Sequence, residues 1–205
     1  MAEEKEVKRL KIKATAQMGK IMADYFYELD AAGKDQSKPI AWCTSVGPAE
    51  LLRAMGYLVH FPENHGAMLG ATRMATDMIP EANAIGYTPT ICSYLTADIG
   101  AYLKRVTPLS KAYKGIDSVP KPDVLVFNTN QCRDVQDWFA WYGDEFNVPV
   151  IGIHTHRGIK DVGEEHVTSV AEQIKNLGPT LEKVSGNKFD LDELKRVLAL
   201  SRECS

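Results

Sequence analysis

Two cysteines carry the strongest chemical signal in this sequence. Cys92, in Thr90-Ile91-Cys92-Ser93-Tyr94, and Cys132, in Asn128-Thr129-Asn130-Gln131-Cys132, each stand where an apolar or turn-rich segment gives way to a helical pattern. The positive end of a helix macrodipole favours thiolate, the form of cysteine that ligates metal or attacks an electrophile. A metal or redox site is therefore the first expectation, and two buried inert thiols are the alternative. Cys132 follows a predicted strand, the place where open α/β sheets bring ligands to strand ends and helix N-termini. Two thiolates do not complete the ligand set of a [4Fe–4S] cluster. A further ligand must come from elsewhere, or one iron stays open to substrate.

Other residues compete for a role. Cys43 comes at the end of a predicted strand beside Thr44 and Ser45, as a third ligand on a pocket lip or as a small apolar residue filling a first turn. Cys204 sits near the end of a terminal amphipathic helix and reads as structural or exposed. Phe61-Pro62-Glu63-Asn64-His65-Gly66 reads as a polar loop after a strand, with Glu63 a possible general base and His65 an acid or ligand, or else as an exposed loop with a helix cap. His154-Thr155-His156-Arg157-Gly158 follows the last strand; a His-x-His pair can ligate zinc, but no third ligand has fitting spacing, and Arg157 could meet a phosphate or carboxylate. The Gly-x-Gly-x-x-Gly, Walker and Gly-x-Ser-x-Gly patterns are absent, which counts against dinucleotide, ATP and α/β-hydrolase sites.

The elements that must position these residues alternate. Met18, Ile21, Met22, Tyr25, Phe26 and Leu29 predict a leading helix ending near Gly33. Strand 39–42, a helix from Pro48 to Gly56 and strand 57–61 form a right-handed crossover unit. Residues 66–86 predict two helical pieces divided at Pro80, and Cys92 opens a helix with Leu95, Ile99 and Leu103 on one face. Strand 123–127, helix 132–146 and strand 148–153 predict a second crossover. A helix with Val167, Val170, Ile174, Leu177, Leu181 and Val184 should bend at Gly178-Pro179. Asp190 and Glu193 resemble a capping box for the last helix, with Leu191, Leu194, Val197 and Leu198 facing inward. The fold class expected is α/β, a Rossmann-like lobe with a short parallel sheet flanked by helices, plus leading and trailing helices.

Composition sets the frame. The 205 residues, 44% hydrophobic and 25% charged with a net charge of -3, fit one soluble α/β domain over 1–205 and no nucleic-acid surface. The acidic start from Met1 to Glu6 is unlike a secretory signal, no run of apolar residues suits a membrane, and four irregularly spaced cysteines favour a reducing cytoplasm. The last residues, Ser201 to Ser205, carry no terminator, which suggests a domain of something longer or half of a split protein.

Together the segments resemble the subunits of 2-hydroxyacyl-CoA dehydratases and benzoyl-CoA reductases, oxygen-sensitive iron–sulfur enzymes of anaerobic bacteria. The resemblance runs from about Gln17 to the C-terminus. It is carried by Ala41-Trp42-Cys43-Thr44-Ser45 with Pro48-Ala49-Glu50-Leu51, by Phe61-Pro62-Glu63-Asn64-His65 and by Gly86-Tyr87 with Ile91-Cys92-Ser93-Tyr94. Pro122-Asp123-Val124-Leu125-Val126, Asn130-Gln131-Cys132 and the closing Val184 to Asp190 continue it. In that family a subunit holds a [4Fe–4S] cluster by three cysteines between two Rossmann-type lobes. The resemblance implies that Cys92 and Cys132 are the two from the first lobe, with the third on a second lobe this chain lacks. It thereby implies an N-terminal lobe, and Cys43 matches no ligand position.

The chemistry implied is one-electron reduction of an acyl-CoA thioester to a ketyl radical. Dehydratases then lose the hydroxyl by way of an enoxy radical; reductases pass electrons into an aromatic ring. A homologous second subunit and a separate ATP-dependent activator are the implied partners. The family's dehydratase subunits carry a serine and a glutamate near the substrate, at a spacing that matches Ser45, as a hydrogen-bond donor, and Glu63, as a proton-handling residue. The Pro62-Glu63-Asn64-His65 stretch is closer to the dehydratase form. A benzoyl-CoA reductase subunit, an electron-transfer or interaction subunit without its own substrate site, and a sugar- or nucleotide-binding α/β domain with inert cysteines stay open as alternatives.

Overall fold

Short apolar runs become the strands of one parallel sheet, because strands covered on both faces need no polar alternation. The computed structural model describes residues 13–157 and 161–204; the acidic start from Met1 to Glu6, Gly158 and Ser205 lie outside them. The elements are α1 (Lys13–Asp35), β1 (Ile40–Cys43), α2 (Ala49–Ala54), β2 (Leu58–His60), α3 (Pro62–Ala71), α4 (Ala75–Ala84) and α5 (Ser93–Lys104). Then come α6 (Leu109–Ala112), β3 (Val124–Asn128), α7 (Arg133–Phe146), β4 (Val150–Ile153), α8 (Glu164–Ser185) and α9 (Leu191–Cys204). The strand order is β2-β1-β3-β4, with every pairing parallel. This is the α/β class expected, a parallel sheet flanked by helices with a helix at each end.

The two faces of the sheet build two cores. Ile40, Trp42, Leu58 and Leu125 face one way, into Leu29 of α1, Leu95 and Ile99 of α5, and Trp138, Phe139 and Tyr142 of α7. Ala41, Cys43, Val59, Val124 and Val126 face the other, onto Leu51 and Leu52 of α2 and Leu177 and Leu181 of α8. Each of these leucine-sized side chains contributes about 1.5–3 kcal/mol by leaving water. A third cluster, with Leu69, Met78, Ala97 and Ala101, joins α3, α4 and α5. There α5 lies so close to α4 that a Cβ on Gly100 would sit 1.9 Å from the Met78 carbonyl oxygen.

Several local expectations are corrected. The break in 66–86 falls at Thr72 to Met74, where Arg73 has φ 59, and Pro80 lies inside α4. The segment from Pro62 to Gly66 is no loop; Pro62 occupies the first turn of α3, where a missing N–H costs nothing. The helical spacing through Gly178 and Pro179 does hold, with Pro179 inside α8. Asp190 does cap α9, its Oδ1 accepting from the Asp192 and Glu193 amides at 2.8 and 3.2 Å. Glu193 pairs with Arg196 at 2.7 Å and does not close the box. Met18, Ile21 and Met22 on α1 and Leu191 and Leu198 on α9 are exposed, so these two helices are only partly docked, and Leu103 is exposed at the end of the otherwise buried α5.

Candidate functional site

The chain leaves β1 toward β2 on one side and later returns to β3 on the other, so the carboxyl ends of β1 and β3 border a switch point. Open α/β sheets bind ligands in that crevice. Three helix starts converge beside it. Cys92 is the N-cap of α5 and Cys132 the N-cap of α7, and in neither does the sulfur cap the helix. Asp134, in the first turn of α7, accepts from the Cys92 amide at 3.2 Å and so ties the two mouths together. The third start is that of α3, whose Gly66 lies against Tyr94 of α5; a Cβ there would be 2.9 Å from the Tyr94 carbonyl oxygen.

Glu63, in the first turn of α3, spans the crevice. Its Oε2 accepts from the Ser45 amide at 2.5 Å, and its Oε1 accepts from the Gln131 side-chain amide. One carboxylate thus links the loop after β1 to the residue preceding Cys132. The Ser45 side chain itself is exposed. From the loop after β4, Arg157 donates to the carbonyls of Thr129 and Gln131, bracing the turn that presents Cys132. Its partners within the chain are these backbone oxygens. Positive helix ends and uncapped N–H groups make this edge favourable for negative ligands.

Other candidates fall away from the edge. His65 is buried, its Nδ1 2.5 Å from Asp98 Oδ1 and its Nε2 2.9 Å from the Thr107 hydroxyl, so both ring nitrogens are occupied. Asp98 Oδ2 also accepts from the Trp138 indole at 3.1 Å and the Tyr142 hydroxyl at 2.6 Å. Burial, with the Asp98 charge, pushes the Tyr142 phenol well above its ordinary value. Cys43 is fully buried in the second core, and burial, reinforced by Glu63 and Glu50, pushes its thiol up to about 12. That leaves it a small apolar residue. His156 stacks on His166 with ring centroids 3.8 Å apart. Cys204 is exposed.

No group of three or more His, Cys, Asp or Glu able to hold a metal ion occurs among the described residues. Cys92 and Cys132 are soft thiol donors at adjacent helix starts, and this donor set fits part of a thiolate-held iron–sulfur centre. It does not make a complete one. The supporting roles of Gln131, Asp134 and Arg157 were not foreseen. An acidic residue in a first turn was the legible sign for Asp134, whereas nothing local marks Gln131 or Arg157 as partners.

The family described as 2-hydroxyglutaryl-CoA dehydratase, D-component, matches residues 44–205. The chain belongs to this family. It is 28% identical to the (R)-2-hydroxyisocaproyl-CoA dehydratase alpha subunit of Clostridioides difficile, over 83% of the chain and 40% of that protein. It is also 28% identical to the alpha subunit of lactoyl-CoA dehydratase of Anaerotignum propionicum, over 80% of the chain and 41% of that protein. A benzoyl-CoA reductase subunit of Thauera aromatica is 27% identical, over 73% of the chain and 34% of that protein. The chain thus spans about two fifths of the length of the dehydratase subunits it matches.

Proposed function

We propose that this family member is the N-terminal lobe of the iron–sulfur catalytic subunit of an activator-dependent 2-hydroxyacyl-CoA dehydratase. The observation that carries the reading is the convergence of Cys92, Cys132 and the Glu63–Ser45 contact on one edge of the sheet. Cys92 and Cys132 would hold two positions of a [4Fe–4S] cluster, and the third ligand comes from outside the described residues. When bound, the cluster would supply one-electron reducing power toward a thioester carbonyl and an open iron as Lewis acid, the chemistry that a ketyl route to loss of water requires.

The chain's own residues handle the substrate around that chemistry. Each carboxylate oxygen of Glu63 accepts one hydrogen bond within the protein and keeps a lone pair for a substrate proton. The exposed Ser45 hydroxyl, on the same loop, donates to a substrate oxygen. Asp134 and Arg157 hold the two helix mouths at a fixed spacing. A homologous second subunit and a separate ATP-dependent activator protein complete the machine, in the cytoplasm. The likeness to a benzoyl-CoA reductase subunit supports a second reading, a dearomatising reductase.

Anaerobic turnover by the assembled enzyme with its activator and ATP tests this. Glu63→Gln should lower kcat on an (R)-2-hydroxyacyl-CoA by about 100-fold or more while the cluster absorption is retained. Unchanged turnover would assign the chain to electron transfer. Reduction of benzoyl-CoA without any dehydration would favour the second reading.

A further inference from the structure

A cavity of about 430 Å³ lies at the far ends of the helices that Cys92 and Cys132 begin. It is lined by Ala101 and Tyr102 at the end of α5 and by Tyr142 and Phe146 at the end of α7. Helices of this length, at 1.5 Å per residue, put its mouth roughly 18 Å from the cysteines. The size suits a small molecule. Trp42, Tyr102, Tyr142 and Phe146 pack on one another as a single wall, with Val119 and Pro120 also lining the cavity, and the polar atom of each ring that has one is engaged elsewhere. Trp42 Nε1 donates to the Pro120 carbonyl at 3.0 Å, the Tyr142 hydroxyl to Asp98 at 2.6 Å and the Tyr102 hydroxyl to Glu145 at 2.8 Å. What faces inward is aromatic carbon.

The floor repels a negative group and the lip attracts one. His65, Asp98 and Thr107 at the floor satisfy one another, and the Asp98 charge disfavours a second carboxylate there. On the lip, Lys34 is tied to Asp30 at 2.7 Å. Arg105 and Lys121 form no ion pair among the described residues, and the Lys121 ammonium lies 5.8 Å from the centre of the Phe146 ring. Asp117, also on the lip, offsets one of these two cations.

We propose that this cavity binds a small carboxylate with an apolar body about the size of a phenyl ring. The ring lies against the partly exposed Tyr102 and Phe146, beside Val119 and Pro120, and the carboxylate meets Arg105 and Lys121. The site is separate from the one beside the cysteines and does not depend on the reading given for it.

The probe is 3-(4-fluorophenyl)propanoate, titrated into the full chain and followed by fluorine NMR. Saturable binding to one site is expected, with proton contacts from the probe ring to Tyr102 and Phe146. The uncharged amide of the same acid should bind about tenfold or more weakly, since it loses the charge-assisted contacts. The double variant Arg105→Asn, Lys121→Gln should lose the acid to the same extent; both positions are exposed, and asparagine tolerates the φ of 57 at position 105. A melting curve matching that of the parent chain shows the variant folded. No saturable shift, or equal affinity for acid, amide and double variant, overturns the proposal.

Discussion

At the scale of the residue, four cysteines of one chemical type sit in different surroundings. Cys132 and Cys204 are exposed, Cys92 is half-buried, and Cys43 is fully buried with its thiol pushed up to about 12. A thiol reagent at pH 8 should therefore label Cys132 and Cys204 within the first phase and leave Cys43 untouched until the chain is unfolded. Mass spectrometry of the labelled peptides reads this directly. His60 gives a second residue-scale prediction. Burial, with His65 beside it, holds its imidazole well below the ordinary 6.5, and its Nε2 has no hydrogen-bond partner among the described residues. The unfolded chain takes up that proton near pH 6.5 while the folded chain does not, so its stability contribution is complete above that pH and falls as pH falls. The slope approaches about 1.4 kcal/mol per pH unit from this one group. Urea titrations between pH 7.5 and 5.5 should show the fall, and His60→Leu should flatten it.

At the scale of the element, helix packing decides more than helix propensity. Gly100→Ala improves propensity by about 1 kcal/mol, yet its methyl group would meet the Met78 carbonyl at 1.9 Å and must force α4 from α5. A net loss of about 2 kcal/mol is expected, measured as a lowered urea midpoint. Asp190→Ala should cost about 1 kcal/mol by releasing the amides at the start of α9. The strands and the helices carrying Cys92 and Cys132 were legible because apolar runs and helical periods are local signals. The boundary between α3 and α4 was not, since Pro80 suggested the break while the left-handed turn at Arg73 makes it. The exposure of Met18, Ile21, Leu191 and Leu198 was hidden for a related reason: periodicity shows which face of a helix is apolar, not whether anything covers it.

At the scale of the molecule, strand order converts separate motifs into one site. Ser45, Glu63 and Gln131, the neighbour of Cys132, lie well apart in sequence and meet because β1 and β3 are neighbours in a parallel sheet. Alternating strand and helix patterns made the α/β class readable, but which strands adjoin depends on long-range packing. For the same reason His65 looked like a site residue, standing two positions after Glu63, until the turn of α3 directed it into the core against Asp98. Whether Cys92 and Cys132 together ligate a cluster is the central claim, and one measurement addresses it most directly. The chain is co-expressed anaerobically with the remainder of a family subunit, and iron and acid-labile sulfide are counted per assembled subunit. About four of each are expected for a [4Fe–4S] cluster, and Cys92→Ala or Cys132→Ala should reduce both sharply while the complex stays folded. An assembled, folded complex without iron, or one whose iron content neither substitution lowers, would contradict the account.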